Sequence, residues 1–373
     1  MILGIDCSRL ASERPTGVEL YTDRVLEGLI QRADQLGYDE VRCYVRNARQ
    51  VEQLLFWKDK YRAEKTKVRL IECKRLWTYL GLSWELFRRP VDAFFEPSHV
   101  LPWFAPKRSV LTVHGVEALL LPQAYSWFLR WYQRHTLLRA KRIGARFIAV
   151  SQAVKNDLVR LLGIEEGRIA VVYNGFDEVG SREFGVGSLE IQFQYILHVG
   201  RLEERKNQIR LIDAFEQIAG EFSELELVLV GGDGQGAENI KLKIKKLECK
   251  KRIHLMGYQM QEVVRSLMKH ARVFAYPSLA EGFGIPILEA FSAGTPVLTS
   301  RGSACEEVAG GAAVLCDPLD VQSIANGLRK LLSDENLRKE KIEGGALRLR
   351  SGPFSWEKCV EGVVGVLADG ISG

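Results

Sequence analysis

The stretch from Ser278 to Ser300, SLAEGFGIPILEAFSAGTPVLTS, carries two carboxylates around a glycine-rich turn. Pro286 and Gly294 suit the beginning and end of a helix, which predicts about two helical turns between them. The first amides of such a helix attract an anionic group such as a diphosphate. Glu281 and Glu289 accept hydrogen bonds from hydroxyls, and a nucleotide sugar offers two sets of hydroxyls, on its sugar and on its ribose. Acidic residues near a helix start also stabilise the helix, so the pair alone leaves both interpretations open.

Further candidate residues follow other apolar runs. Arg201 and Lys206 come directly after QYILHVG, where two cations could hold a departing diphosphate, although solvated loop charges would look the same. In the first half of the chain, Gly17 lies in a strand-to-helix loop and His114 lies just beyond a strand. A lone histidine is more often structural than functional. Together, however, these residues all fall at predicted strand ends.

The elements that must position these residues alternate along the chain. Strand-like runs such as MILGID, VRCYV, KVRLIEC, AFFEPS, SVLTVHGV and RFIAVS are separated by helical patterns, including a helix predicted from Val18 to Leu36. A polar, glycine-rich segment from Asn174 to Gln194 predicts a linker. A second series then runs through QYILHVG, ELVLVGG, IHLMG, VFAYPS, PVLTS and AAVLCD. The pattern predicts two parallel α/β domains that bind ligands at the carboxyl ends of their strands, in a cleft between the domains.

Composition limits the class of protein. The chain has 373 residues and a formal charge of +5, which permits weak attraction to phosphates or anionic lipid but falls short of a nucleic-acid footprint. The seven cysteines are scattered and form no Cys-x-x-Cys pair, so we expect a reducing cytoplasm and neither disulfides nor a zinc site. We find neither a basic-then-apolar leader nor an apolar run of the ~20 residues that span a bilayer.

These motifs together resemble the retaining glycosyltransferases of family 4, which have the GT-B fold. The E-x7-E arrangement of Glu281 and Glu289 with its downstream AGTPVL is the specific signal, and VGRLEERKN, VSQAVKNDL and VVYNGFD support it. The resemblance covers essentially the whole chain. It implies an acceptor-binding Rossmann-like domain over residues 1–178 and a nucleotide-sugar-binding domain over 179–354, with the last helix, 355–373, packed back on the first domain.

The resemblance also implies roles for individual residues. Glu281 would contact the donor-sugar hydroxyls, and Glu289 would contact the ribose. Arg201 and Lys206 would hold the diphosphate, and His114 would contact the donor sugar. Further donor contacts would come from Gly17, on the phosphate, and from Gly200, Gly282, Phe283, Gly284 and Ile285. Two departures affect the finer donor geometry: Gly115 follows His114 where many relatives have an acidic residue, and the loop before Val18 has one glycine where many have two.

The implied activity is transfer of a hexose from a nucleoside-diphosphate donor to a glycan or lipid-linked acceptor in surface polysaccharide synthesis. Residues 301–320 resemble the mannosyltransferase-like branch, which favours GDP-mannose, although a UDP-linked donor stays open. No Asp-x-Asp motif is present, so we expect neither a metal nor a cofactor. In the route proposed for the family, the acceptor attacks from the leaving-group face and the departing phosphate takes its proton.

Two other classes remain as alternatives. A sugar-nucleotide epimerase could share the fold and the diphosphate site, but it would act on the donor alone and would need additional acid and base residues. A non-catalytic nucleotide-binding scaffold is disfavoured because both glutamates and both cations are present.

The segment from Tyr125 to Arg142, YSWFLRWYQRHTLLRAKR, is predicted to form one helix with basic and aromatic residues in adjacent rows. Arg130, Arg134 and Lys141 lie beside a row formed by Trp127, Trp131 and Leu138. Basic residues flanked by tryptophan suit an anionic membrane surface, which predicts a peripheral position on the inner face of a membrane. An ordinary amphipathic helix, with its aromatic residues in the core, would show the same sequence.

Overall fold

The computed structural model describes residues 1–10, 16–73, 75–98, 100–177 and 193–369. The chain forms two compact units. Unit 1 comprises Met1–Leu119, Tyr125–Asp177 and Pro353–Gly373, and unit 2 comprises Leu120–Ala124 and Glu178–Gly352. Most of the segment predicted as a linker, residues 178–192, lies outside the described residues.

A seven-stranded sheet forms the centre of unit 1. Its strands are β1 (Ile2–Asp6), β2 (Glu40–Val45), β3 (Thr66–Leu70), β4 (Ala93–Glu96), β5 (Arg108–Val113), β6 (Arg146–Ala149) and β7 (Ile169–Val171). Their order is β3-β2-β1-β4-β5-β6-β7, and every neighbouring pair is parallel. All carboxyl ends therefore lie at one edge of the sheet, where side chains from different strands can meet.

Helices cover this sheet because its strands are apolar on both faces. They are α1 (Gly17–Gln31), α2 (Ala48–Tyr61), α3 (Ser83–Arg88), α4 (Glu117–Leu120), α5 (Trp127–Arg142), α6 (Gln152–Leu162) and, at the end of the chain, α14 (Trp356–Asp369). The last helix packs closely on α1: a Cβ on Gly28 would lie 2.5 Å from a methyl carbon of Val360. Val25, Leu29 and Val363 are fully buried in the core of unit 1.

Unit 2 repeats this architecture with six strands. They are β8 (Gln194–Val199), β9 (Leu225–Val230), β10 (Ile253–Gly257), β11 (Val273–Tyr276), β12 (Val297–Ser300) and β13 (Val314–Cys316), in the order β10-β9-β8-β11-β12-β13. Each neighbouring pair is again parallel. The helices are α7 (Gln208–Ile218), α8 (Ala237–Lys245), α9 (Gln261–His270), α10 (Ile285–Ser292), α11 (Ala304–Ala309), α12 (Val321–Ser333) and α13 (Glu335–Ser351).

The prediction of two parallel α/β sheets is confirmed, and the differences are local. Strand β7, of three residues, was not predicted. The helix predicted from Val18 to Leu36 ends at Gln31 and is followed by a separate 3₁₀ turn, which continues the apolar pattern without continuing the α-helix. Strand β4 ends at Glu96, since Pro97 has no amide hydrogen for the ladder. Within the described residues, no helix is both long and apolar enough to cross a membrane.

Candidate active site

Lys206 and Glu281 meet in unit 2 although 75 residues separate them. Lys206 ends the short 3₁₀ turn after β8, and Glu281 lies in the turn after β11. Asn207 adopts the left-handed conformation at φ 63° and precedes α7. Its side-chain amide donates to the carbonyl oxygens of Pro277 at 2.9 Å and Pro318 at 2.6 Å. These bonds hold the turn that carries Lys206 against the strand end that carries Glu281.

Glu281 is surrounded by donors. Lys206 Nζ donates to Glu281 Oε1 at 2.6 Å and to the Tyr276 hydroxyl at 2.5 Å. The Tyr276 hydroxyl in turn donates to Glu281 Oε1 at 3.1 Å. Arg205 Nη1 donates to the other carboxylate oxygen, Oε2, at 2.8 Å. We call these four residues the Glu281 cluster.

Glu281 stays ionised within this cluster. Burial opposes ionisation most strongly, but the charges of Lys206 and Arg205 outweigh it and lower the pKa of Glu281 to about 2. Burial, and then the charge of Glu281, raises the pKa of Tyr276 well above its ordinary value, so the hydroxyl keeps its proton. The cluster therefore presents a carboxylate acceptor beside an ammonium group, and these groups suit sugar hydroxyls and phosphate oxygens respectively.

The glycine-rich turn that follows Glu281 leads directly into α10. Gly284 precedes α10 at φ 110°, a conformation that favours glycine, and a Cβ there would lie 3.3 Å from the Ile287 side chain. Gly282 and Phe283 are buried, and Ile285 is partly buried. Pro286 has no amide hydrogen, and the amide of Ile287 donates to the carbonyl oxygen of Gly284 at 3.0 Å. The amide of Ile285 is therefore the first-turn donor of α10 that has no acceptor inside the helix, as anion binding at a helix start requires.

Glu289 lies one turn inside α10 and has different partners. Gln261 Nε2, on α9, donates to Glu289 Oε1 at 2.7 Å. Burial raises the pKa of Glu289, while this hydrogen bond and the charge of Arg265 lower it. Among the contacts of the described residues, the two glutamates of the E-x7-E motif do not share one hydrogen-bond network.

Arg201 also lies outside the Glu281 cluster among the described contacts. Its side chain is 67% exposed, its Nη2 donates to the carbonyl oxygen of Asp233 at 3.2 Å, and its Nε lies 3.5 Å from Glu203 Oε1. Gly200, by contrast, lies directly beside the Lys206 stem: a Cβ there would be 3.4 Å from Lys206 Cδ and Cε. Of the two predicted cations, Lys206 therefore contacts Glu281 and Arg201 faces solvent.

Sequence reasoning missed Arg205 and Tyr276. The loop RLEERKN contains two arginines, and only its folded backbone shows that the second one reaches Glu281. Tyr276 is the last residue of β11, at the carboxyl edge of the sheet. A polar aromatic residue at that position was a signal that could have identified it.

Gly17 is the first residue of α1 in unit 1. Thr16 caps the helix, accepting from the Glu19 amide at 3.4 Å, and Glu19 Oε2 accepts from the Thr16 amide at 2.8 Å. This reciprocal pair leaves the amides of Gly17 and Val18 as first-turn donors with no acceptor inside the helix. The segment just before, residues 11–15, lies outside the described residues.

His114 follows β5, and its ring has one defined tautomer. Its Nε2 lies 2.8 Å from the carbonyl oxygen of Pro97, and since a carbonyl can only accept, Nε2 carries the hydrogen and Nδ1 presents a lone pair. Burial lowers the pKa of His114 to about 4, so the ring is neutral. The edge-to-face ring of Tyr21, 4.7 Å away, and the bond between Tyr21 and Thr112 at 3.0 Å fix its surroundings.

Gly115 follows His114 at a position where many relatives have an acidic residue, and the structure shows which side chain occupies that space. A Cβ on Gly115 would lie 2.3 Å from Glu117 Oε1. The carboxylate of Glu117 therefore occupies the space into which an acidic side chain at position 115 would extend. Unit 1 therefore has an acidic group beside position 115, supplied from two residues farther along the chain.

A second carboxyl pair lies at the carboxyl edge of the unit 1 sheet and was not predicted. Asp6 and Glu96 follow the paired residues Ile5 and Phe95 of β1 and β4, and both are almost fully buried. Burial raises the pKa of both carboxyls, and the charge of Asp6 raises that of Glu96 further. Both MILGID and AFFE end in an acid, but only the strand order makes these ends neighbours. Among the described residues, no group of three or more His, Cys, Asp and Glu side chains is arranged to hold a metal ion.

Two family models match successive parts of the chain. The model for glycosyltransferase family 4 matches residues 15–179, and the model for glycosyl transferases group 1 matches residues 187–348. The O-antigen chain mannosyltransferase B of Escherichia coli is 28% identical over 298 residues, which cover 78% of this chain and 77% of that protein.

Solved glycosyltransferases share the fold over nearly the whole length. WaaG, a glycosyltransferase involved in lipopolysaccharide biosynthesis, superimposes with a TM-score of 0.69 at 18% identity, covering 96% of this chain and 98% of WaaG. Anabaena HepE, solved in complex with UDP and glucose, also gives a TM-score of 0.69, at 19% identity, covering 99% of this chain and 100% of HepE. With its two parallel-sheet units and both family matches, the chain is a member of the family 4 glycosyltransferases of GT-B fold, similar to the mannosyltransferases among them.

Proposed function

We propose that the protein is a retaining, metal-independent hexosyltransferase that moves mannose from GDP-mannose to a glycan or lipid-linked acceptor in surface polysaccharide synthesis. The Glu281 cluster is the observation that carries this proposal, because it combines an ionised carboxylate for sugar hydroxyls with cations for a diphosphate. Similarity to an O-antigen mannosyltransferase favours mannose. The UDP and glucose bound by the structural relative HepE support a nucleotide-sugar donor and keep a UDP-linked sugar as the alternative.

Each residue of the cluster has a distinct proposed role. Lys206, with the amide of Ile285 at the start of α10, stabilises the charge that grows on the departing diphosphate, while Glu281 accepts hydrogen bonds from the donor-sugar hydroxyls. Arg205 holds Glu281 Oε2 and so keeps the carboxylate in position. Arg201 turns its exposed guanidinium to the phosphates. Glu289 binds the ribose through its second oxygen.

Unit 1 contributes two further proposed contacts. Nδ1 of His114 accepts a hydrogen bond from a donor-sugar hydroxyl, since Nε2 is committed to Pro97. The amide of Gly17 binds a phosphate oxygen at the start of α1.

The proposed step conserves all its atoms. The bond between the anomeric carbon and the diphosphate oxygen breaks, and the acceptor hydroxyl oxygen attacks that carbon from the same face. The acceptor proton passes to the departing phosphate, so no protein base is required. Lys206, held beside Glu281, supplies the positive charge that a metal ion provides in other transferases. All seven cysteines are free thiols, which fits a reducing cytoplasm as the compartment.

A product assay tests the proposal. GDP-mannose and UDP-glucose, each labelled in the sugar, are incubated with the protein, a chelator and a panel of glycan and lipid-linked acceptors. We expect the label to move from GDP-mannose to an acceptor with the anomeric configuration of the donor retained. Interconversion of the donor sugar without transfer would indicate the epimerase. Binding without turnover of either donor would indicate the scaffold.

A further inference from the structure

His198 is a fully buried histidine of unit 2 that has no part in the proposed donor contacts. It lies on β8, just before the segment of residues 201–206, which we call the cation loop. The cation loop carries Arg201, Arg205 and Lys206, the three basic side chains of the proposed site. Whatever fixes the backbone of this loop therefore bears on the proposed reaction.

The ring of His198 has one defined tautomer. Its Nδ1 lies 2.9 Å from the carbonyl oxygen of Ala275 in β11, and since a carbonyl can only accept, Nδ1 carries the hydrogen. Burial lowers the pKa of His198 to about 4, so the ring is neutral and Nε2 presents a lone pair. The ring is thus anchored to β11 through Nδ1 and can accept a hydrogen bond at Nε2.

Gln208 donates that hydrogen bond. Its Nε2 lies 3.2 Å from His198 Nε2 and 2.8 Å from the carbonyl oxygen of Arg201. Gln208 is fully buried and is the first residue of α7. Through this one amide, His198 is connected to the first residue of the cation loop and to the helix that follows the loop.

The orientation of the Gln208 amide is retained although it leaves one group unsatisfied. Among the residues that the structure describes, Gln208 Oε1 is buried and has no hydrogen-bond partner. A buried acceptor without a donor destabilises a fold, and such groups are rare in proteins. Turning the amide over would place Oε1 against the carbonyl oxygen of Arg201, where two acceptors repel each other. The bonds to Arg201 and His198 therefore determine how this amide lies.

His198 also contacts the Glu281 cluster directly. Its ring stacks on that of Tyr276, with centroids 5.8 Å apart and planes inclined by 22°. Lys206 Nζ lies 4.8 Å from the centre of the same Tyr276 ring. A Cβ on Gly200 would lie 3.4 Å from both His198 Nε2 and the Lys206 stem. The histidine ring and the lysine stem thus border the same small space.

We propose that His198, acting through Gln208, is a positioning residue that holds the cation loop so that Lys206 Nζ stays beside Glu281. His198 Nε2 orients Gln208, Gln208 holds the carbonyl of Arg201, and the 3₁₀ turn between them carries Lys206 to the carboxylate. In this role His198 touches no part of the donor. Its effect on turnover rests on the proposed function, whereas its effect on the loop can be measured without any reaction.

Two substitutions of His198 separate its two hydrogen bonds, and both remove the ring. In His198→Gln, the longer amide reaches the place of Nε2 and can accept from Gln208. In His198→Asn, the shorter amide reaches the place of Nδ1 and can donate only to Ala275. With labelled GDP-mannose, we expect His198→Gln to keep kcat within about threefold of wild type and His198→Asn to lose about tenfold or more, because a displaced catalytic group acts poorly. The affinity of His198→Asn for GDP should change less than its kcat.

Gln208→Met removes the same connection from its other side with a side chain of similar length. We expect it to lower kcat as His198→Asn does, and the double variant to lose no more than either single one. Tyr195→Phe is the matched control, because Tyr195 is buried near the start of β8 and its hydroxyl donates to the carbonyl oxygen of Leu267 at 2.8 Å. This control loses a buried hydrogen bond and should keep wild-type kcat.

Hydrogen exchange of the full chain reports on the loop without a reaction. The amides of Lys206 and Asn207 each donate to a carbonyl oxygen within the turn at 3.0 Å, so they should be protected in wild type. We expect faster exchange of these two amides in His198→Asn and Gln208→Met, and wild-type exchange in His198→Gln and in the control. Should His198→Asn fail to fold, Gln208→Met gives the same comparison.

The positioning role and the proposed function fail separately. If the loop amides respond as expected but wild type transfers no sugar, His198 positions the loop and the proposed function is wrong. Equal exchange of the loop amides in wild type and Gln208→Met would overturn the positioning role. Equal loss of kcat in His198→Gln and His198→Asn would overturn it as well.

Discussion

Lys206 and Glu281 form a buried ion pair, with Nζ 2.6 Å from Oε1, at the carboxyl edge of the unit 2 sheet. The other oxygen of Glu281 has its own cation, Arg205, at 2.8 Å. One negative group thus lies between two positive groups. Arg205 also pairs with Glu203 at 3.1 Å, and Glu203 lies 3.5 Å from Arg201, so these five side chains together carry a net positive charge, which suits a dianionic diphosphate. Removing Lys206, Arg205 or Glu281 should in each case have a different and measurable consequence.

Glu281→Gln should lower turnover by about 10²-fold or more, because loss of a positioned hydrogen-bond acceptor for the sugar costs roughly 2–3 kcal/mol. Initial rates with labelled donor measure the effect. The melting temperature must be recorded beside the rates, since the neutral amide of this variant leaves Lys206 without its counter-charge and Arg205 with Glu203 alone. Near-normal turnover by the folded variant would remove Glu281 from the reaction.

Arg205→Ala should reduce kcat because Arg205 positions Glu281, and Arg205→Lys should restore part of the activity. Arg205 also lowers the pKa of Glu281, so its removal should move the acidic limb of the pH–rate profile to higher pH. Arg329→Ala is the matched control, because Arg329 pairs with Glu221 on the surface of the same unit. A folded Arg205→Ala enzyme with an unshifted acidic limb would contradict the positioning role.

His114 should remain a neutral ring with its hydrogen on Nε2 throughout the neutral range. Burial lowers the pKa to about 4, so protonation should begin only as the pH approaches that value. Nitrogen-15 NMR of the labelled ring reports both the tautomer and the charge, with His114→Ala identifying the signal. A charged ring near pH 6, or a hydrogen on Nδ1, would disprove the proposed acceptor role of Nδ1.

The Asp6–Glu96 pair should make the stability of unit 1 depend on pH. Burial raises the pKa of Glu96 in the folded state, so its stabilising contribution is present below the unfolded pKa and is lost as the pH rises through the folded value. Glu96→Gln keeps the shape without the charge. Between acidic and neutral pH, the free energy of unfolding of Glu96→Gln should therefore fall less than that of wild type, by roughly 1 kcal/mol or more.

Denaturant unfolding at several pH values measures this difference. Glu64→Gln, at an exposed position of unit 1, is the control and should follow wild type. Parallel pH curves for wild type and Glu96→Gln would show that the pKa of Glu96 is not raised in the folded state.

The sequence predicts the sheets well because buried parallel strands are apolar on both faces and separated by helical patterns. It also predicts the proximity of Lys206 and Glu281, since each follows a strand and parallel strand ends share one edge. The sequence does not predict the direction in which side chains point within the loops. Arg201 and Arg205 are four residues apart in one polar loop, and only the 3₁₀ turn determines which of them reaches Glu281.

Two other features depended on information that a local pattern does not contain. Asp6 and Glu96 are neighbours only because β1 and β4 pair in the folded sheet. Trp127 and Trp131 repeat with helical spacing whether their side of α5 faces the core or solvent, and the burial of Leu137 on the other side of the helix decides between these orientations.

The most direct test of the central claim is sugar transfer by Lys206→Ala, compared with wild type and Arg201→Ala in the presence of a chelator. Wild type should transfer labelled mannose without a metal ion. Lys206→Ala should lose far more kcat than donor affinity, because the charge on the diphosphate grows as the bond breaks, and the exposed Arg201 should matter less. Undiminished transfer by Lys206→Ala, or no transfer by wild type until a divalent ion is restored, would contradict the account.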